Sequence, residues 1–208
     1  SEPARRSGAA SAGAALHEAL RAWHGGVAPD LGAAFGELAG LHGLDEPAAA
    51  EGRRMLEAYQ GHPLARASTL GVELEFNLLV GEVRLRGVVD RVCETPEGTA
   101  LVDYKSNRRL EGGLLSAYST QLRLYRLAAE RGLLPGGRHP RLLLFDLRRG
   151  REIPVQPDSE AAAARVEAAA ADIAAGRFEL GPEHAERPCF ACAYRRLCPS
   201  ARPGTMEP

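Results

Sequence analysis

Lysine is almost missing from this chain. Among 26 basic residues in 208 there is a single one, Lys105, and arginine fills every other basic position. A routine surface charge or structural ion pair is well served here by arginine. The one place that keeps a lysine therefore points to a chemical need: a compact ammonium, or a proton that can leave near neutral pH. Neither sign of charge is in excess, since 26 basic and 27 acidic residues leave a formal net charge of −1. That excludes a chain-wide basic surface for polyanions, so any basic surface must be local, as at Arg108-Arg109 and at Arg148-Arg149 with Arg151. No apolar run approaches the ~20 residues that span a bilayer, and no signal-peptide pattern opens the chain. A cytoplasmic protein without membrane contact is expected. Aromatics are 5% of residues, with one tryptophan, Trp23, expected in the core.

What is present reads as one globular domain, with 45% hydrophobic and 25% charged residues. The chain opens at Ser1 without an initiator methionine, and is expected to be processed or part of something larger. Helical spacing marks Ser11 to His24 and, most clearly within a Gly- and Pro-broken stretch from Glu37 to Gly61, Ala48 to Tyr59. From Val72 the period switches to two: VELEFNLLV, then VRLRGVVDRVC, then TALVDYKS, a three-strand meander. Leu115 to Arg131 reads as an amphipathic helix closed by Gly132, and RLLLFDL from Arg141 as a buried central strand. A strand over Glu152 to Val155 and an Ala-rich helix from Ser159 to Ala175 complete an α/β or α+β layering of helices around a sheet.

Within the meander, GVVDRVCETPEGTALVDYKSN places an aspartate in each of two apolar runs flanking a turn. Strand alternation would put Val88, Asp90 and Val92 on one face, and Leu101, Asp103 and Lys105 on one face of the next strand. Carboxylates on half-buried strands are costly unless paired. Either Lys105 neutralises them, or the set binds Mg²⁺ and the lysine orients or helps deprotonate an attacking water in phosphodiester hydrolysis.

The company these residues keep resembles the RecB-like branch of the PD-(D/E)XK nucleases, in motif order over most of the chain. GAALH matches the Gly-x-x-x-His helix and places His17; VELEF places Glu73, with Glu75 as a neighbour; GVVDR places Asp90; DYK places Asp103, Tyr104 and Lys105; QLRLY places Gln121 and Tyr125. The resemblance implies a restriction-endonuclease-like α/β fold, a central mixed sheet flanked by helices. It implies that Asp90, Asp103 and the Tyr104 carbonyl hold Mg²⁺ or Mn²⁺, that His17 completes or flanks the shell, and that Glu73 binds directly or through water. Lys105 would serve the water, and Gln121 and Tyr125, i and i+4 on one helix, would reach Lys105 or the substrate backbone. His24, His42, His62, His139 and His184 match no motif and are read as surface residues.

A second signal is CFACAYRRLC, with Cys189, Cys192 and Cys198 as C-x2-C-x5-C. So close a cluster in a cytosolic chain reads as a metal or iron-sulfur site rather than disulfides. In AddB-like and CRISPR-associated relatives this spacing belongs to a [4Fe-4S] cluster whose fourth cysteine precedes the histidine motif. No cysteine precedes His17 here, and Cys93 falls out of phase with Asp90, so a cluster is expected only in a longer parent. The expected organisation is a single domain, with a helical part over 1–62, a catalytic core over 72–178 and the cysteine cluster over 186–200. The expected function is a metal-dependent nuclease on single-stranded DNA or DNA ends, joined to a helicase domain or subunit in recombination and repair. The alternatives are a free-standing exonuclease of the CRISPR-associated type and a nuclease-fold module that binds without cutting.

Overall fold

The period-two runs form one sheet, and the helical runs cover its two faces. In this computed structural model, which describes residues 8–177 and Leu197, three helices come first: α1 (Gly8–His24), α2 (Leu31–Leu41) and α3 (Glu46–Gly61). The side chains of Asp30 and Asp45 accept hydrogen bonds from the Ala33 and Ala48 amides and so cap α2 and α3. The broken stretch from Glu37 resolves into the end of α2 and all of α3, separated where Gly43 takes a left-handed φ of 62°. A 3-10 turn over Pro63–Arg66 leads into the sheet.

The strands are β1 (Ser68–Val80), β2 (Val83–Thr95) and β3 (Gly98–Lys105), then, after helix α4 (Gly112–Glu130), β4 (Arg141–Asp146) and β5 (Arg151–Val155); helix α5 (Ser159–Ala174) follows. Their spatial order is the chain order, antiparallel throughout except that β3 and β4 run parallel, joined by the α4 crossover. This is the α/β fold with a mixed central sheet that the sequence implies.

Alternation sorts the strand side chains into two cores. Val102, Tyr104, Leu143 and Phe145 pack with Leu16, Phe35 and Tyr59 of α1–α3. Leu101, Leu142 and Leu144 pack with Leu122 and Tyr125 of α4 on the opposite face. Strand β4 is flanked by β3 and β5 and covered on both faces, which is why it is apolar from Leu142 to Phe145. No helix among the described residues is long and apolar enough to cross a membrane.

Candidate metal centre

The site forms where β2 and β3 part. Their last paired residues toward it are Arg91 and Val102. One step on, where Asp90 and Asp103 would face each other, the Tyr104 amide donates instead to the Asp90 carboxylate, at 2.8 Å from Oδ2. A side chain has replaced the strand carbonyl. On the other side of β2, Val72 pairs with Arg91 and Leu74 with Val89, which sets Glu73 across from Asp90. Glu73 has φ 47°, the one positive φ outside glycine among the described residues, a conformation that costs an L-residue about 1–2 kcal/mol.

Strand alternation breaks at the same point. Val89 packs in the core under α4, whereas Arg91, two residues on, turns to Tyr59 and Leu64 on the α3 side. The expectation that Val88, Asp90 and Val92 share one face of a regular strand is therefore corrected. Val92 joins Val89 in the α4-side core, because the irregularity at Asp90 shifts the phase. Its effect is to turn a carboxylate out of the strand ladder.

Three groups converge there. Ligand atoms of His17, Glu73 and Asp90 lie within 4.8 Å of one another, with His17 Nδ1 3.4 Å from Asp90 Oδ2. His17 is carried by α1, which docks through Ala15, Leu16, Ala19 and Leu20, all at most 1% exposed. Asp103 lies outside this trio. It is 1% exposed, and its Oδ2 sits 2.7 Å from Lys105 Nζ yet has no hydrogen-bond partner of acceptable geometry, alone in this among buried side-chain polar atoms of the described residues. Lys105 thus supplies opposite charge without satisfying the oxygen's direction. The lysine ammonium also lies 4.2 Å from the centre of the Tyr118 ring.

The electrostatics follow. Burial, then the Asp90 charge, raise the Asp103 carboxyl to about 6 against the pull of Lys105. Burial and Asp90 raise Glu73 as well. Burial alone would lower His17, but the hydrogen bond and charge of Asp90 outweigh it and raise the imidazole. A buried carboxylate, crowded acids whose pKa values are raised and an adjacent imidazole are what a divalent cation would relieve. Oxygen donors with one nitrogen suit Mg²⁺ or Mn²⁺ rather than a thiophilic metal.

Of the α4 pair, Gln121 donates through Nε2 to the Tyr125 hydroxyl. Tyr125 is 4% exposed and edge-on to Phe76 at 5.6 Å. Burial first, and the charges of Asp103, Asp90 and Glu73 besides, raise its phenol. Glu75 instead faces solvent and pairs with Arg86 at 2.7 Å, so it takes no part in the cluster.

Behind the site lies a buried network the sequence reading passed over. Arg91 is fully buried and donates to the Tyr59 hydroxyl, the Leu64 and Ala67 carbonyls and the Thr69 hydroxyl. The Tyr59 oxygen is 2.7 Å from both Tyr104 Oη and His24 Nε2. His24 is therefore not a surface residue: it stacks parallel to Tyr104 at 6.5 Å, and burial followed by Arg91 lowers its pKa to about 3. The available signal was spacing, since His24 follows His17 by two helical turns and shares its face. His62 is also half-buried, its ring nitrogen accepting from the Leu64 amide. Arg91 was visible as the last letter of GVVDR.

Cys93 is fully buried in the α1–α3 core, and burial raises its thiol, so it offers no accessible thiolate. Cys189, Cys192 and Cys198 lie outside the described residues.

A mixed sheet whose parted strands present two aspartates and a lysine defines a class. The profile of the PD-(D/E)XK nuclease superfamily matches residues 2–199, and the chain belongs to that superfamily. Among 17 matching chains of solved structures, one described as "Crystal structure of SSO0001" is 17% identical, with 91% of this chain and 85% of that one covered at a TM-score of 0.46. No curated protein matches.

Proposed function

We propose that this chain is a Mg²⁺- or Mn²⁺-dependent deoxyribonuclease. The observation that carries the reading is the convergence of His17, Glu73 and Asp90 within 4.8 Å of one another, beside a buried Asp103 held 2.7 Å from the chain's single lysine. Asp90, Asp103, His17 and the Tyr104 carbonyl are the residues that would hold the cation, with Glu73 joining directly or through water. The cation, when bound, supplies Lewis acidity at the phosphoryl group and at water. The protein supplies position. Asp90 is fixed by the Tyr104 amide, and Lys105, held between Asp103 and Tyr118, orients the attacking water.

Membership in the superfamily supports phosphodiester hydrolysis. The motif order supports the finer reading of a RecB-like nuclease acting on single-stranded DNA or DNA ends beside a helicase, in recombination or repair, with an iron-sulfur cluster in the parent protein. A free-standing exonuclease would use the same residues. A module that only binds would have no use for so costly a cluster of carboxylates. The test is digestion of labelled single- and double-stranded DNA with Mg²⁺ or Mn²⁺, run beside Asp103→Ala. Cleavage that needs the metal and disappears in the variant is expected. Cleavage that survives the substitution, or none by the wild type, would overturn the reading.

A further inference from the structure

A groove lies between β2 and α4. It encloses about 330 Å³ and is walled by Phe76, Leu85, Val88 and Leu124, with Gln121 and Tyr125 along one side and Arg86 and Gly87 on the other. That volume is at the lower end for small-molecule sites, which are mostly apolar with a few convergent polar groups. One face of α4 runs from Lys105 to the groove. Tyr118, Gln121 and Tyr125 follow at i, i+3 and i+7; the first touches Lys105, and the other two line the groove. On the opposite wall Val88 is two residues from Asp90. Gly87 is shaped for this wall, because a side chain there would collide with Phe76, whose ring lies over the bare backbone.

We propose that this groove seats one nucleobase of a single strand whose backbone crosses the carboxylates. The proposal rests on the nuclease reading and names its substrate class. The apolar walls would cover the faces of the base, and Gln121 supplies the polar group at its side. Arg86, exposed and only surface-paired with Glu75, can meet a neighbouring phosphate. A base stacked inside a duplex could not enter, so the groove favours single strands or frayed ends. Aliphatic and aromatic walls give no pattern of donors to read, so little discrimination among the four bases is expected.

The test uses the full chain with Ca²⁺ in place of Mg²⁺, and fluorescence anisotropy with two labelled single strands. One is oligothymidylate and the other an abasic strand with the same number of phosphates. The wild type should bind the base-bearing strand about tenfold more tightly. Leu85→Trp, which fills the groove from β2, should bring its affinity down to that of the abasic strand, and Leu124→Trp should do the same from the opposite wall. Equal wild-type affinity for the two strands overturns the proposal whether or not the variants fold, as does a base preference that survives in a folded Trp variant. A parallel Mg²⁺ digestion separates the two ideas. Base preference without cleavage keeps the groove and removes the nuclease reading; cleavage without base preference does the reverse.

Discussion

Asp103 is the residue whose environment departs most from that of a free carboxylate. Its folded pKa of about 6 stands above the ordinary 3.8. Its contribution to stability is therefore present below the lower value and lost as pH rises through the higher one. In EDTA at pH 7.5, Asp103→Asn should raise unfolding stability by about 1–3 kcal/mol, and with Mg²⁺ restored it should abolish cleavage; urea denaturation would expose a contrary sign. His24 works in the opposite sense. Its folded pKa of about 3 lies below the ordinary 6.5, so its contribution is present above 6.5 and lost as pH falls toward 3. His24→Gln should flatten the loss of stability between pH 6.5 and 4, and an unchanged acid slope would show that the imidazole titrates freely. For Lys105, arginine keeps the charge but not the compact shape. Lys105→Arg should lower turnover about a hundredfold if the lysine serves the water, and near-wild-type turnover would reduce it to a neutralising charge. Asp103 and Lys105 could be picked out in the sequence because motif order isolates them. The network of Arg91, Tyr59, Tyr104 and His24 could not, since Tyr59 and Tyr104 meet across 45 positions and no local period announces a contact of that range.

At the scale of elements, the informative feature is the break at Glu73 and Asp90. Removing the Glu73 side chain has two separable effects. Glu73→Gly should be more stable than Glu73→Ala by about 1 kcal/mol, because glycine accepts a left-handed φ and alanine does not; equal stabilities in thermal melts would mean the backbone relaxes there. Gly87 gives the complementary test. A β-carbon would lie 2.2 Å from Phe76 Cζ, and Phe76 is the cross-strand partner of Gly87, so Gly87→Ala should cost about 1–3 kcal/mol by overpacking. The strands, their meander and most helix limits follow from the two hydrophobic periods. Helix α2 is less legible, since LGAAFGELAGL carries three glycines that weaken a helical signal. The break was hidden for a different reason. In a run as apolar as VVDRV, face alternation can shift by one residue without disturbing the pattern of residue types.

Across the whole molecule, one sheet separates two cores with different tasks. The α1–α3 layer brings His17 to the carboxylates and buries the Arg91 network behind them, while the α4 layer brings Tyr118, Gln121 and Tyr125 over Lys105 and into the groove. The site exists only when both layers are docked on the parted strands, which is why residues as distant as His17 and Tyr125 belong to one constellation. Cys93 is sealed inside the first core, where burial raises its thiol. The central claim is that the parted strands form a divalent-metal centre. Its most direct test is anomalous diffraction from crystals of the wild-type chain soaked in Mn²⁺. A peak bounded by Asp90, Asp103, His17 and the Tyr104 carbonyl is expected, and it should be absent from Asp103→Asn crystals soaked alike. A manganese peak elsewhere, or no peak in crystals of an actively cleaving preparation, would contradict it.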